Sequence, residues 1–574
     1  MDSRQVKTPK YMVYCVLVAC IGSFSNGWTI GCANLPGDVT HQCPTGMRRL
    51  ATPVLPDCIP MGTSLWGFAV ASFCVGGLVG GVCGGWVQTK LGRKKAIIWN
   101  TLGWIIGGLL LGLSVNVAMF IIGRILCGLS CGLGSLAIPT YIGETSSIRA
   151  RGAMGAMNQF LIVIGILLSA IIGLPTSSVP YWRINFAIVG VPAIIQAMLM
   201  TTCVESPRWL VSDSRLEEAR ASLQRLRGKN AIIQNEFYEI VEGQVGTMRA
   251  RSVLQHPENA EKILSGKWSM EEINEANNNH NPNTLPTDTL DANEQQKIHP
   301  DVPRTSVDND TMINPVPTGE TVPVETGDPS GGVHKPMNII QIFRDPVIRR
   351  ISLVVFMHHA IQQLSGMNAV MYYSTNIFAS AFDLTMSKYM AIATNGVNFV
   401  VTIGAVYLVD RMGRRPLLLI AEGGACLFSV LLVVGYACNK PALLVVSVFM
   451  YVASFAIGIG PIPWMITSEL TPTYANSSVG AIATGVNWAM NFVVGQVFPV
   501  IFAGIEGYSF AIFAGICLLA WLFTFFMLPE TKNRSIENIV KGFQTGGTRM
   551  LGLARRRSSE NTMVEHQPQQ QGDA

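Results

Sequence analysis

Seven carboxamide side chains stand where this sequence is otherwise apolar. Gln159, Gln362, Gln363, Asn368, Asn398, Asn487 and Asn491 each fall inside an apolar stretch of about twenty residues. An amide within hydrocarbon is costly unless it meets a partner or a wet cavity. Each one both donates and accepts hydrogen bonds, as an alcohol does, so a ring of them suits a neutral polyhydroxy molecule. An anion would instead require buried Arg or Lys. Trp464 adds an aromatic surface for the apolar face of a pyranose ring. The competing reading is that such amides merely tie helices together. A lone membrane Asn fits either reading, whereas Gln362, Gln363 and Asn368 in one stretch favour a site.

Helical geometry constrains how these groups can meet. On an unbroken helix Gln362, Gln363 and Asn368 point about 0°, 100° and 240° around the axis, so they converge only if the helix bends. Ser365-Gly366 is where that bend is expected. Asn487 and Asn491 share a face at i and i+4. Pro461 and Pro463 are expected to interrupt their helix and free backbone groups beside Trp464.

The elements that must position these residues are membrane spans. Of the 574 residues, 49% are apolar and 13% are charged, and the net charge is +5. The Lys and Arg sit in short clusters between apolar runs, which is a membrane distribution and not a nucleic-acid signal. Stretches long enough to cross about 30 Å of hydrocarbon lie near 11–33, 62–86, 96–115, 118–140, 153–174 and 183–203. A second set lies near 349–379, 389–409, 416–437, 442–467, 478–503 and 508–528. The fold class expected is therefore an all-α membrane protein of twelve transmembrane helices in two six-helix bundles, 11–203 and 348–528. Basic clusters at Lys90–Lys95, Arg149–Arg151 and Arg411–Arg415 all fall on one side. The positive-inside rule makes that side cytoplasmic, with both termini (1–10 and 529–574) and the segment 204–347. The first span reads as a retained signal-anchor helix. Within the linker, 213–228 reads as a short amphipathic helix and about 255–335 as a disordered insert.

The halves echo one another. Gly92-Arg93-Lys94 returns as Gly413-Arg414-Arg415, Glu144 as Glu469, and Glu205-Ser206-Pro207-Arg208 as Pro529-Glu530-Thr531-Lys532. The offset is about 320 residues throughout, the mark of two parallel repeats with a site at their interface. Thirteen cysteines show no CxxC and no metal spacing, and no cofactor is implied. Cys43 and Cys58 share the first loop and could be bonded or free.

These motifs resemble the sugar porter family of the major facilitator superfamily, of the facilitative glucose transporter type. The resemblance rests on Gly85–Lys94, Pro139–Glu144, Arg151-Gly152, Glu205–Leu210, Gln362–Asn368, Gly460–Trp464 and Pro529–Lys532. Departures are Thr89 at the usual acidic or Asn position, Val204 for Pro and Asn533 for Gly. The resemblance implies a plasma-membrane hexose carrier, with Gln159, Gln362, Gln363, Asn368, Asn398, Asn487, Asn491 and Trp464 on the sugar. It also implies an extracellular gate at Tyr372 and Tyr373, against ordinary interfacial anchoring. Arg124, inside span four, is implied to belong to a helix-to-helix charge network.

That network consists of Arg93, Glu144, Arg151, Glu205, Arg208, Arg414, Arg415, Glu469 and Glu530, at helix ends of both halves. Ion pairs across the boundary would hold the cytoplasmic side shut. Topology-setting charge explains the Lys and Arg but not the matching Glu. Proton coupling needs a titratable group in the path. Thr29 stands where coupled family members carry Asp, and Ala456 where many carry Glu. His358 and His359 could titrate, but they read as structural. A facilitator is expected, with a proton symporter, a polyol or inositol porter and a non-transporting sensor as rivals. Gly128–Gly132 fits G-x-S-x-G by chance, while Gly77, Gly81 and Gly85 suit close helix packing. Sequons at Asn309, Asn476 and Asn533 are expected to be unglycosylated, and Arg555–Ser559 is read as a basic tail.

Overall fold

The computed structural model describes residues 8–43, 54–147, 150–245 and 337–532, with 534, 539–540 and 542–543 beyond them. The insert at 255–335, Asn309, Asn533 and the basic tail lie outside the described residues.

Six helices build the first half: α1 (Lys10–Gly31), α2 (Thr63–Leu91), α3 (Arg93–Gly112), α4 (Val117–Thr145), α5 (Arg151–Thr176) and α6 (Trp182–Met200). The second half begins with α7a (Pro346–Leu364) and α7b (Met367–Ala379), followed by α8 (Leu384–Met412) and α9 (Arg414–Ala437). It ends with α10 (Pro441–Leu470), α11 (Thr473–Ile505) and α12 (Phe510–Met527). Among the described residues, ten continuous helical stretches are long and apolar enough to cross a membrane. One of them joins α11 to α12, and the seventh span is broken in two, which brings the total to twelve. The start of α1 and the end of α12 lie on one side, the terminal face. The opposite side carries the Cys43–Cys58 disulfide, which the structure shows to be formed, and is called the disulfide face.

Local chemistry explains the ends. Asn116 accepts from Met119 N to cap α4, and Asp345 accepts from Val347 N and Ile348 N to cap α7a. Gly92 and Gly413 turn the chain between successive helices at φ of 86° and 94°, where a side chain is strained. A carboxylate sits on each turn. Glu205 Oε1 accepts from the N–H groups of Arg93 and Lys94, and Glu530 from those of Arg414 and Arg415. The acid thus satisfies the first orphan donors of α3 and of α9 and complements their dipoles. The repeated Gly-Arg and Glu motifs are two copies of one helix cap.

The halves pack through α2 on α11, α5 on α8 and α1 on α7b. A Cβ on Gly77 would lie 2.5 Å from the Trp488 ring of α11, and one on Gly81 2.9 Å from Thr484. Gly85 faces nothing closer than a Leu136 methyl at 3.9 Å. In the linker, the expected amphipathic helix runs Leu216–Arg227 and buries Ala219, Leu223 and Leu226. Arg227 donates to the Thr145 carbonyl at 2.8 Å and pairs with Glu236 at 2.6 Å, which fixes this helix to the end of α4.

Candidate functional site

The bend in the seventh span falls where expected. Gly366 adopts φ 97°, and a Cβ there would lie 2.6 Å from the Phe513 ring. The Ser365 carbonyl freed by the break accepts from Tyr451 Oη of α10. Beyond the break, α7b turns Asn368 back toward Gln363, and Asn368 Nδ2 donates to Gln363 Oε1. Gln363 Nε2 donates to Asn487 Oδ1 at 2.9 Å, and Asn487 Nδ2 donates to Gln362 Oε1 at 2.6 Å. Gln362 Nε2 closes the chain on the carbonyls of Ile459 and Gly460.

Those carbonyls are the backbone groups freed from α10. Between Phe455 and Ile459 the helix widens into a π-turn, and Pro463 has no N–H to give the Ile459 carbonyl four residues back. Gln362 is therefore a clamp: both ends of its amide are occupied by protein. Gln363 and Asn368 are half-buried and keep unused capacity, one N–H on Gln363 and one N–H with the oxygen on Asn368.

Two amides make no hydrogen bond to the described residues. Gln159 on α5 is half-buried, and Asn398 on α8 is buried. Their neighbours Phe160 and Phe399 stack at 5.5 Å, which places both amides where the halves meet. Trp464 is 37% exposed and stands edge-on to His359 at 4.7 Å. His359 Nε2 lies 2.9 Å from Thr467 Oγ1.

Tyr372 and Tyr373 are buried on α7b. Tyr372 Oη donates to Asn491 Oδ1 at 2.7 Å, Tyr373 Oη donates to the Gly495 carbonyl at 2.9 Å, and Phe73 of α2 meets Tyr372 edge-on. Above them Asn34, past the end of α1, donates to Ser374 Oγ at 2.6 Å and accepts from Thr375 N and Oγ1. Lys388 reaches Asp38 at 3.3 Å. Sequence reasoning missed Asn34, because a polar residue just past a span looks like ordinary loop.

The expected charge network needs two corrections. Arg93–Glu144 and Arg414–Glu469, each 2.9 Å, lie wholly within one half and do not bridge the boundary. Ser206 Oγ and Thr531 Oγ1 donate to the second oxygens of Glu144 and Glu469, and Arg415 Nη2 donates to the Phe525 carbonyl. Burial pushes the Glu205 carboxyl above the usual range, opposed by the N–H groups of Lys94, Ser206 and Arg93. Arg151 and Arg208 are exposed and form no ion pair with the described residues. The second correction is Arg124, which stands apart from this network. It is fully buried, donates to the carbonyls of Thr29 (2.9 Å) and Val70 (2.8 Å), and lies over the Phe73 ring. Backbone carbonyls of α1 and α2 supply the acceptors that its charge requires.

The fold thus holds a broken seventh span, an amide network between α7a, α7b and α11, and two further amides where the halves meet. The family model for the sugar (and other) transporters matches residues 15–265 and 328–543. The chain belongs to that family. Curated relatives of this transporter include the solute carrier family 2, facilitated glucose transporter member 3 of Ovis aries. That protein is 31% identical over 556 residues, covering 95% of this chain and 94% of its own. The member 3 protein of Oryctolagus cuniculus is 32% identical over 551 residues, covering 94% and 93%. Among solved structures, a partially occluded inward open form of the xylose transporter XylE from E. coli superimposes with a TM-score of 0.64. It is 22% identical and covers 92% of the transporter and 100% of that chain, a likeness of fold.

Proposed function

We propose that this transporter moves a hexose, glucose foremost, across the plasma membrane by facilitated diffusion with alternating access, its terminal face in the cytoplasm. The observation that carries the reading is the set of amides with unused hydrogen-bonding capacity. Gln159 and Asn398 have no hydrogen-bond partner among the described residues, and Gln363 and Asn368 keep spare donors and an acceptor. Sugar hydroxyls satisfy such groups without bringing charge into the membrane. Trp464 supplies the ring face. Gln362 acts indirectly, by holding Asn487 and joining α7a to the π-turn of α10. The relatives' names, facilitated glucose transporters, agree with this reading.

Absence of coupling is argued from α1. The Thr29 hydroxyl is spent on the Ser25 carbonyl and its own carbonyl on Arg124, so this position offers no proton carrier. Tyr372, Tyr373 and Asn34 close the external path, while Arg151 and Arg208 await partners on the cytoplasmic side.

Counterflow in proteoliposomes, with glucose, fructose, galactose, xylose and inositol as competitors, tests this. Glucose is expected to compete best, and an enclosed pH dye to stay constant during uptake. Dominant competition by inositol would convert the reading to a polyol porter. Luminal acidification driven by sugar would convert it to a symporter, and binding without flux to a sensor.

A further inference from the structure

Glu422 lies in the body of α9 and is fully buried, and the sugar site makes no use of it. An ionisable group at such a place calls for a partner and a role. It meets the hydroxyl of Thr524 on α12: Oγ1 lies 2.9 Å from Glu422 Oε1, while Oε2 is buried without a hydrogen-bond partner among the described residues. On the far side of Thr524, His358 Nε2 of α7a lies 3.2 Å from the same Oγ1. His358 Nδ1 lies 2.7 Å from the Val354 carbonyl. Glu422, Thr524 and His358 form one chain through three helices.

Counting hydrogens along the chain favours one state. A carbonyl only accepts, so His358 carries its hydrogen on Nδ1. In the neutral ring Nε2 is then an acceptor, and Thr524 gives it the single hydroxyl hydrogen. The Thr524 oxygen is left facing Glu422 Oε1, which must therefore donate. The proton sits on Oε1, and Oε2 is the carbonyl oxygen of a neutral acid. The charged alternative, imidazolium with carboxylate, would leave a charged oxygen buried without a partner, a far larger penalty than a neutral one.

We propose that Glu422, Thr524 and His358 form a proton-binding site inside the second bundle, with the proton held on Glu422 and able to pass through the Thr524 hydroxyl to His358. The transfer balances. Glu422 Oε1–H breaks as Thr524 Oγ1 takes that proton, and the hydroxyl releases its own to His358 Nε2, giving carboxylate and imidazolium with no net charge change. Other titratable groups on the packed elements are His359 on α7a, the Cys517 thiol of α12 facing Glu422, Cys426 one turn along α9, and Tyr451 on α10. Arg415 and Glu469 lie toward the terminal face of α9 and α10. His358 sits one turn before Gln362, so the proton site and the amide clamp share one helix. The proposal stands whichever sugar is carried.

Infrared spectroscopy of the full chain in lipid tests it, comparing wild type with Glu422→Gln and Thr524→Val. The expected result is a protonated-carboxyl C=O band in wild type at neutral pH that is absent in Glu422→Gln. Glu422→Gln should also melt within a few degrees of wild type, because its amide N–H replaces the carboxyl O–H toward Thr524. Thr524→Val should keep the band and shift it, since the carboxyl loses its acceptor. No band difference between wild type and Glu422→Gln, or a strongly destabilised Glu422→Gln, would overturn the protonated state. An unshifted band in Thr524→Val would overturn the relay.

Discussion

The two faces of the molecule are bonded in opposite ways. On the disulfide face, polar contacts cross between the halves: Asn34 to Ser374 and Thr375, Lys388 to Asp38, and Gln496 to the Ser64 carbonyl. On the terminal face the corresponding ion pairs among the described residues lie inside each half. Arg93–Glu144–Ser206 and Arg414–Glu469–Thr531 are two copies of one cluster, each tying its own helix ends together. One face is a fastened seam, and the other is a pair of rigid rims. Bonds that hold a bundle rigid and bonds that hold two bundles together are different devices, and only the second kind sets which face is open.

That contrast can be broken most directly at the hinge. The α7b groups that carry hydrogen bonds across the seam, Ser374 and Thr375, are aimed by the break at Gly366. Gly366→Ala combines a left-handed backbone with overlap on Phe513 and should cost about 3 kcal/mol. Thermal unfolding should show the loss, and uptake should fall close to background. Asn34→Ala comes next. It removes three buried bonds that cross the seam, worth about 2 kcal/mol in favour of the open disulfide face. Alkylation of the native, buried Cys74, read by peptide mass spectrometry, should rise roughly thirtyfold.

Glu469→Gln sharpens the comparison. It should lower stability by about 1–2 kcal/mol yet leave Cys74 labelling unchanged, because its partners are all in the second half. Asn398→Ala should raise KM for glucose about fivefold, equivalent to one lost hydrogen bond of about 1 kcal/mol, with membrane insertion intact. The smallest effect is expected from Lys388→Met, about 0.5 kcal/mol or twofold in Cys74 labelling, and it should vanish at high salt.

Much of this was legible in the sequence, for reasons that can be named. Span number followed from hydrocarbon thickness, and the repeat from the Gly-Arg and Glu echoes, which a helix cap requires at fixed positions. The bend at Gly366 and the break at Pro461 and Pro463 followed from backbone chemistry alone. Other features depended on tertiary partners that no spacing reveals. Gln362 looked like a free amide, but the π-turn of α10 supplied two carbonyls that absorb it. Arg124 needed an acceptor, and α1 and α2 provided backbone rather than a carboxylate. The charged ends paired within halves because Glu205 and Glu530 fold back onto the starts of α3 and α9 in their own halves, a register that pattern cannot distinguish from pairing across the boundary. Glu422 was passed over because a single acid in an apolar run carries no periodic signal.

Pulsed electron–electron distances across both faces test the central contrast most directly. One spin-label pair would replace Lys95 and Arg349, and a second would replace Val115 and Leu384. In Asn34→Ala against wild type, the disulfide-face pair should lengthen while the terminal-face pair shortens, each shifting in proportion to the other. Movement of both pairs in the same direction, or no change in either, would contradict a fastened seam on one face set against independent rims on the other.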